Sequence, residues 1–471
     1  ADDRRAQRDL RRARGDAGER AEQFRAHRLD GGTLGARSAP TNEGGYMSVR
    51  DTRVLIVGAG IGGLTTALSL HEAGVEALVV DSAARLRPLG VGINLLPHAV
   101  RELTELGLGG DLADLGIPTA EMVHFDRYGG RIWGEPRGRA LGYHWPQYSI
   151  HRGELQMALL DAVLARLGKE SVRTGTVFEG FEQDGTGVRA RLLDRASGTA
   201  ETVEADVLVG ADGLHSAVRA QLHPGEPAPL WNGIRMWRGL TEGEPFLTGR
   251  TLAVAGSNTA SKMVVYPISM RAERRGGALL NWVAEVRLPA DRLTDPADWN
   301  RTGRLDDVLP YFADWRFDWL DVPALLAGSA EILEYPMVDR DPLDRWTSGR
   351  VTLLGDAAHP MYPIGSNGGS QAVLDARVLA HQVARAADPA EGLLAYEAER
   401  REPVNAIVLA CRDMPADRIL HTVSERAPRG FGRIEDVLSS DELTSITGAY
   451  RKTSFDDVEA LNTRPSYTTA S

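Results

Sequence analysis

The stretch Val54-Leu55-Ile56-Val57-Gly58-Ala59-Gly60-Ile61-Gly62-Gly63 opens on four apolar residues and passes directly into closely spaced glycines. The apolar run is typical of a buried parallel strand. Gly58 permits a tight turn, Gly60 lets the backbone approach a pyrophosphate, and Gly63 lets the next helix pack closely on the strand. The stretch therefore predicts a dinucleotide bound at a helix N-terminus, with Gly62 in the same turn.

The residues that follow the glycines supply the context that this motif requires. A helix is predicted over Leu64–Ala73, and a second apolar strand over Ala77–Val80 ends in Asp81. Asp81 lies about 20 residues past the glycines, where an acid binds the ribose, and Ser82 is beside it. Glycine-rich turns alone are common, so the order strand, glycines, helix, strand and acid favours a dinucleotide over a structural turn.

A second segment far along the chain has the same character. Val351–Leu354 is an apolar strand that ends in Gly355-Asp356, and a glycine-rich stretch follows. Ligands bind at the carboxyl ends of strands in α/β sheets, so Asp356 is a candidate ligand residue, with a helix N-cap as the alternative. A domain that used only the first segment would be complete long before the second. Together they predict FAD laid across a domain that the chain leaves and re-enters.

Composition narrows the class of protein. The 471 residues carry a net charge of −11, which argues against nucleic acid as a partner. The single cysteine, Cys411, excludes an intrachain disulfide and a cysteine-based metal site, and it is expected to be a buried apolar residue. No apolar stretch is long enough to span a bilayer, so we expect a cytoplasmic protein without a membrane partner.

Changes in composition and in the pattern of apolar residues along the chain predict an α/β fold with three parts. These are a Rossmann-like FAD-binding domain, an inserted α+β substrate domain with an antiparallel sheet, and C-terminal helices. The first residues are too polar to order themselves, and they are expected to be a disordered leader or to precede a start near Met47. The predicted divisions are the leader at 1–46, the FAD-binding domain at 47–224 with a strand excursion at about 121–148, the substrate domain at 225–340, the returning FAD-binding segment at 341–412, and a helical and loop region at 413–471.

Three motifs in order carry a family resemblance: Gly58-x-Gly60-x-x-Gly63, Asp212-Gly213-x-x-Ser216-x-x-Arg219 and Gly355-Asp356. The chain resembles the single-component FAD-dependent aromatic hydroxylases, the group of p-hydroxybenzoate and salicylate hydroxylases. The stretches 87–94, 147–157 and 335–343 are similar to the bacterial phenazine hydroxylases of pyocyanin biosynthesis. Those enzymes act on 5-methylphenazine-1-carboxylate and replace the ring carboxylate with a hydroxyl group.

The resemblance implies further cofactor contacts. Asp212, Gly213 and Arg219 would lie near the pyrophosphate, although an Asp/Arg pair that only ties loops together is the alternative. Arg152 matches an arginine that contacts FAD, with a surface ion pair as its alternative, and Val177 matches a position beside the adenine. The flavin ring would face a loop in which Ser366-Asn367 departs from the family's Gly-x-Gly pattern; its residues are Pro363, Gly365, Ser366, Asn367 and Gly368.

The resemblance also implies the chemistry. NADH or NADPH reduces FAD, O₂ adds at flavin C4a, and the hydroperoxide attacks an electron-rich ring, so no side chain is assigned as a certain catalyst and no metal is expected. The substrate would be a small planar aromatic, expected to be a phenazine carboxylate. Candidate contacts lie on strands of the insert, where ordinary sheet packing is the alternative for each, and Arg238 could hold a carboxylate; they are Trp237, Arg238, Tyr266, Pro267 and Trp282.

Other functions remain open at this point. A salicylate-like or other heteroaromatic hydroxylase would add oxygen without loss of CO₂. A flavin-binding regulatory protein without catalysis would keep the same fold. A dehydrogenase that binds only a nicotinamide cofactor leaves Gly355-Asp356 unexplained. The sequence distinguishes neither NADH from NADPH nor a monomer from a homodimer.

Overall fold

The first predicted strand and helix form the centre of the fold. A computed structural model describes residues 53–289, 301–413, 417–453 and 457–468, with the backbone alone over 447–453. These residues belong to one compact unit, Tyr46–Ser471. The predicted leader at 1–46 and the start at Met47 lie outside the described residues.

The strands and helices are numbered in chain order over these residues. The strands are β1 (Arg53–Val57), β2 (Glu76–Asp81), β3 (Gly92–Leu95), β4 (Ile117–Thr119), β5 (Glu121–Phe125), β6 (Arg131–Pro136), β7 (Gln147–His151), β8 (Val172–Thr174), β9 (Thr176–Gln183), β10 (Val188–Asp194), β11 (Ala200–Ala205), β12 (Val207–Gly210), β13 (Leu230–Gly243), β14 (Thr251–Gly256), β15 (Ser261–Pro267), β16 (Ala278–Arg287), β17 (Arg316–Phe317), β18 (Leu320–Asp321), β19 (Ile332–Asp339), β20 (Thr347–Ser348) and β21 (Val351–Leu353). The helices are α1 (Ile61–Glu72), α2 (Pro97–Leu103), α3 (Gly109–Leu115), α4 (Arg152–Leu167), α5 (Ala217–Leu222), α6 (Met270–Glu273), α7 (Leu305–Val308), α8 (Val322–Ala327), α9 (Asn367–Arg385), α10 (Pro389–Arg412), α11 (Arg418–Arg426), α12 (Ser440–Thr453) and α13 (Val458–Thr463).

A six-stranded sheet unites the two segments that the sequence places far apart. Its order is β20-β21-β12-β1-β2-β8, and β1 pairs in parallel with both β2 and β12. β21 pairs in parallel with β12, so a single strand separates the second segment from the first. Val54–Val57 is buried, as expected for a strand covered on both faces. The carboxyl ends of β1, β12 and β21 therefore meet at one edge, and the predicted α/β fold with re-entry is confirmed.

A seven-stranded sheet carries the insert. Its order is β19-β13-β16-β15-β14-β5-β6, antiparallel except where β14 pairs in parallel with β5. β5 and β6 form the strand excursion predicted at about 121–148, and the structure adds them to this sheet. Most boundaries agree with the sequence to within a few residues; α1 begins at Ile61 rather than Leu64, because Gly60 is extended and already precedes the helix.

The segment beyond α10 contains the helices α11, α12 and α13, within the region 413–471 that the sequence predicts to hold helices and loops. α11 packs its apolar side chains Ile419, Leu420 and Val423 against the seven-stranded sheet, in a cluster that includes Tyr266 and Val254. In the part of the chain that the structure describes, no helix is both long and apolar enough to cross a membrane. Within the same residues, His, Cys, Asp and Glu side chains form no group able to hold a metal ion.

Candidate active site

The glycine turn after β1 forms an open cradle. Gly58 has φ +108°, and a Cβ there would collide with the carbonyl of Ala211, so a larger residue does not fit. A Cβ at Gly63 would collide with the Gly58 carbonyl, whereas one at Gly60 would meet nothing within 4 Å. Among the residues that the structure describes, no side chain caps the start of α1, so its first N–H groups remain available to another acceptor. A pyrophosphate fits such a cradle, because free N–H groups and the helix dipole favour an anion.

Asp81 fixes the turn from the end of the neighbouring strand. Its carboxylate accepts hydrogen bonds from Ala59 N and Ala83 N, each at 2.8 Å. Gln156 adds a 2.7 Å bond from its side-chain amide to the Ala59 carbonyl. The carboxylate thus lies beside the glycine turn, where a ribose is bound in such folds.

The other predicted contacts of the adenine end lie around this turn at different depths. Ser82 and Arg152 are exposed, and Val177 is half-buried on β9. Arg152 begins α4, and its backbone N–H donates to Val91 O at 3.0 Å. Their contacts with FAD remain predictions.

The Asp212-Gly213 motif lies directly against the glycine turn. The Asp212 carboxylate accepts from Ser216 Oγ at 2.5 Å and from Ala217 N at 2.7 Å, so it caps α5. Burial raises the pKa of Asp212, against the lowering effect of these hydrogen bonds. Its backbone nitrogen lies 2.9 Å from the position of a Cβ on Gly58. The motif therefore shapes the floor of the cradle through its backbone.

Arg219 joins the second motif to the third. Its buried guanidinium donates through Nη1 to the carbonyls of Ala357 and Ala358, at 3.0 and 2.9 Å. Nε donates to Glu226 Oε2 at 2.7 Å. Burial alone would raise the pKa of Glu226, but the hydrogen bond and charge of Arg219 outweigh burial, with help from Arg340, and the pKa lies below its ordinary value. These contacts are those of the loop-tying alternative; a contact of Arg219 with FAD stays a prediction.

The third motif places an exposed carboxylate, that of Asp356, at the edge shared with the first motif. Gly355 has φ +58°, in the left-handed region that favours glycine. Asp356 is exposed, and its Oδ1 lies 3.8 Å from the position of a Cβ on Gly368. A Cβ on Gly62 would lie 2.7 Å from Leu354 Cδ1, so the two motifs pack against each other. Asp356 can thus accept hydrogen bonds from the hydroxyl groups of a ribitol chain.

The loop predicted to face the flavin ring holds a strained residue. Ser366 has φ +63°, a conformation that costs an L-residue about 1 kcal/mol. Pro363 is exposed, whereas Gly365, Ser366 and Gly368 are half-buried. Asn367 is buried, and its Nδ2 donates to Gly365 O at 3.2 Å. Within the described residues no side chain caps the start of α9, so its first backbone N–H groups can stabilise negative charge.

A buried polar network behind this loop was missed by the sequence reasoning. Asp375 accepts from Gly355 N at 3.1 Å, from His359 Nε2 at 2.5 Å and from Arg400 Nε at 2.9 Å. Burial alone would raise the pKa of Asp375, but His359 and Arg400 outweigh it and hold that pKa below its ordinary value. The signal was present: Asn367, Gln371 and Asp375 recur every four residues, which places three polar side chains on one face of a largely apolar helix.

The two faces of the seven-stranded sheet separate the predicted substrate residues. Arg238 and Tyr266 lie on the face toward the FAD-binding elements. Tyr266 OH donates to Gly92 O at 3.0 Å, and Arg238 Nη2 donates to the same carbonyl. Gly92 N donates to Asn281 Oδ1 at 2.7 Å. Neither Gly92 nor Asn281 was predicted, because nothing local marks a backbone group as the meeting point of two sheets.

The predicted tryptophans lie on the opposite face. Trp237 and Trp282 are 2% and 0% exposed and belong to the core beneath α7 and α8. Trp237 Nε1 donates to Glu334 at 3.1 Å and Trp282 Nε1 to Thr241 at 3.2 Å, so both indole N–H groups have partners there. Strand alternation separates Trp237 from its neighbour Arg238. The structure therefore does not bring the two tryptophans to the Arg238 face, and it places Pro267 at the buried end of β15.

A surface cavity of about 490 Å³ lies apart from these groups. Its walls come from residues 223–230 and 340–345, on the outer side of the Arg219–Glu226 pair. The glycine turn, Asp81 and Asp356 are not among its walls. Contacts among the three motifs therefore define the site better than this cavity does.

Comparison with known proteins identifies the family of this chain. The model of the FAD binding domain family matches residues 51–233 and 322–410, and the chain belongs to this family. It is an FAD-dependent aromatic monooxygenase that uses NAD(P)H and O₂, as the sequence predicts.

Named relatives sharpen the class. The chain is 52% identical over 402 residues to phenazine 1,6-dicarboxylic acid hydroxylase PhzS of Lysobacter antibioticus. The aligned region covers 85% of this chain and 96% of that protein. It is 34% identical over 374 residues to 3-amino-4-hydroxybenzoate 2-monooxygenase PtnB3 of Streptomyces platensis, covering 77% and 87%. The structure of Klebsiella pneumoniae HpxO with FAD and uric acid has a TM-score of 0.64 and 25% identity, covering 87% and 95%.

Proposed function

We propose that this monooxygenase hydroxylates a phenazine carboxylic acid at the ring carbon that bears the carboxylate, with release of CO₂. The bond from the ring to the carboxylate breaks and a carbon–oxygen bond forms. NAD(P)H supplies two electrons as a hydride, one oxygen atom of O₂ enters the product, and the other leaves as water with two protons. Bound FAD supplies the oxidation chemistry, and the chain supplies position and a dry environment.

The hydrogen-bond and ion-pair partners of Arg238 are the main support for an aromatic carboxylate as the substrate. Its guanidinium contacts Tyr335 OH at 3.1 Å and the Gly92 carbonyl, and its Nε has no hydrogen-bond partner among the described residues. Among the described residues, the arginines Arg219, Arg377 and Arg400 are each ion-paired with a carboxylate, whereas no carboxylate is ion-paired with Arg238. Arg238 is partly buried, and a cation withdrawn from water is costly unless it is paired, so this arginine is suited to a carboxylate brought by the substrate.

The surroundings of Arg238 suit a flat apolar ring. Leu240, Val264 and Leu333 lie on the same face as Arg238 and are only half-buried, which leaves apolar surface for a ligand to cover. Tyr362 and Ile364 approach from the flavin-ring loop in a shared apolar cluster with Val264 and Leu333. A planar aromatic substrate can cover these side chains and exclude water.

β3 connects Arg238 to the predicted flavin position. Gly92 at its start holds Arg238 and Tyr266, while Ile93 lies against Gly369 at the start of α9. Further along, Leu96 N donates to Ser370 Oγ at 3.0 Å. The carboxylate position and the flavin-ring loop therefore lie on two sides of the same short strand.

The proposal assigns the motifs along the cofactor. The glycine turn and Asp81 hold the pyrophosphate and ribose, Asp356 holds the ribitol, and the loop 363–368 faces the flavin ring. The insert at 225–340 carries the substrate, as in the domain division given above. We place the enzyme in the cytoplasm, where NAD(P)H is supplied, as a monomer or homodimer.

The test is a product analysis. Purified protein loaded with FAD is given NADH or NADPH and phenazine-1-carboxylate, and the product mass is recorded. Loss of CO₂ with gain of one oxygen supports the proposal. Gain of oxygen alone would assign hydroxylation without decarboxylation, and NAD(P)H oxidation that ignores every aromatic carboxylate would refute the substrate class.

A further inference from the structure

Five buried polar side chains connect the two loops of the site's third segment. Each of them is at most 7% exposed. We call this group the clamp network; its members are Asn367, Gln371, Asp375, His359 and Arg400. None belongs to the glycine turn or to the substrate face. Three of them lie on one face of α9, His359 follows the Gly355 turn, and Arg400 comes from α10.

The network makes a continuous path of hydrogen bonds. Asp375 holds Gly355 N at one end, next to the exposed carboxylate of Asp356. Arg400 donates through Nε to Asp375 and through Nη2 to Gln371 Oε1, at 2.9 and 2.6 Å. Gln371 Nε2 then donates to Asn367 Oδ1 at 3.3 Å. Asn367 Nδ2 ends the path on Gly365 O, inside the flavin-ring loop.

We propose that Arg400 is a positioning residue for the bound flavin, because it sets the distance between the Gly355 turn and the Gly365–Gly368 loop. The planar guanidinium fork reaches two acceptors in fixed directions, which a lysine ammonium on a flexible stem does not reproduce. The inference rests on the proposed assignment of that loop to the flavin ring. It does not depend on which aromatic substrate is used.

The network also accounts for two departures in the loop. The side chain of Asn367, in the Ser366-Asn367 pair that departs from the family's pattern, supplies the link from Gln371 to Gly365. Ser366 is then held at φ +63° between two fixed neighbours, a strain that persists only where the surroundings determine the backbone.

The test compares three variants as FAD-binding proteins. Arg400→Met removes both arms of the fork, and we expect FAD to bind on the order of a hundredfold more weakly, since two bonds to a charged group are lost. Gln371→Leu cuts only the arm toward the loop, and we expect about tenfold weaker binding. In both variants the circular dichroism of the bound flavin and its midpoint potential should shift, because the ring moves relative to the N–H groups of α9.

Arg377→Met is the matched control. Arg377 lies on the same helix as Asp375, is 1% exposed, and is ion-paired with Glu72 and Glu102. Its loss should lower stability while leaving flavin affinity, dichroism and potential at wild-type values. Folding of each variant is checked by its own melting curve, and the flavin measurements are made below that transition.

Wild-type affinity, dichroism and potential in folded Arg400→Met and Gln371→Leu proteins would overturn the proposal and leave the network as packing alone. Equal shifts in the Arg377→Met control would overturn it as well. No aromatic substrate enters these measurements, so a failure of the proposed substrate leaves their result unaffected.

Discussion

The two faces of the seven-stranded sheet differ in the partners of their polar groups. On the face with Trp237 and Trp282, both indole N–H groups are bonded within a closed apolar core. On the other face, Arg238 has no ion-pair partner among the described residues, and its Nε has no hydrogen-bond partner there. The difference shows that aromatic content marks the core of this insert, whereas the incompletely paired cation lies on the face where we propose that the substrate binds.

The largest loss of stability is expected when a side chain at the centre of the face with Trp237 and Trp282 is removed. Trp282→Ala should lower the free energy of unfolding by about 3–5 kcal/mol, because a large buried side chain is removed and a cavity is left. Chemical denaturation with and without FAD measures this change. The apparent FAD affinity of the folded fraction should stay near the wild-type value; a selective loss of substrate binding without a loss of stability would place Trp282 in the site instead.

The face with Arg238 also carries a second cation, Lys262, and this one has carboxylate partners. Its removal is expected to cause the next largest loss of stability. Lys262 Nζ lies 2.9 Å from Glu285 Oε2 and 3.0 Å from Asp417 Oδ2, all buried. Lys262→Met leaves two buried carboxylates without their cation, and we expect a loss of about 3 kcal/mol at neutral pH. Because Lys262 is neutralised within the protein, the variant should keep the preference for carboxylated substrates that we propose for the wild type.

The same variant predicts a pH dependence. Burial raises the pKa of Glu285, and Lys262 lowers it, so removing Lys262 raises it further. A folded-state pKa above the unfolded value means that the cost of the ionised carboxylate disappears as pH falls through the folded value. The stability difference between Lys262→Met and wild type should therefore shrink on acidification; a constant difference across acid pH would contradict this.

Most of the fold could be predicted from the sequence because its signals are local. The apolar run before Gly58, the helix after it and the apolar run before Gly355 each mark one element directly. The strand predicted over Ala77–Val80 lies within β2, Glu76–Asp81. The helical segment after α10 was harder, because its helices are short and their apolar face is defined only by the sheet that they cover.

The site was predictable in proportion to how local its contacts are. Motif residues on turns were located because turn geometry selects glycine and aspartate at fixed positions. The clamp network and the Gly92 junction join residues distant in sequence, and no local pattern states which groups will meet. The tryptophans were misleading because strand alternation assigns neighbours to opposite faces, and the sequence alone does not say which face meets the cofactor.

The central claim is that Arg238 holds the carboxylate of an aromatic substrate beside the flavin. The most direct measurement is the Kd of phenazine-1-carboxylate and of unsubstituted phenazine for the FAD-loaded wild type and for Arg238→Met, followed by flavin absorbance. Loss of a charged hydrogen bond should weaken phenazine-1-carboxylate about ten- to a hundredfold in the variant and leave phenazine nearly unchanged. Equal weakening of both ligands, or of neither, would contradict the account.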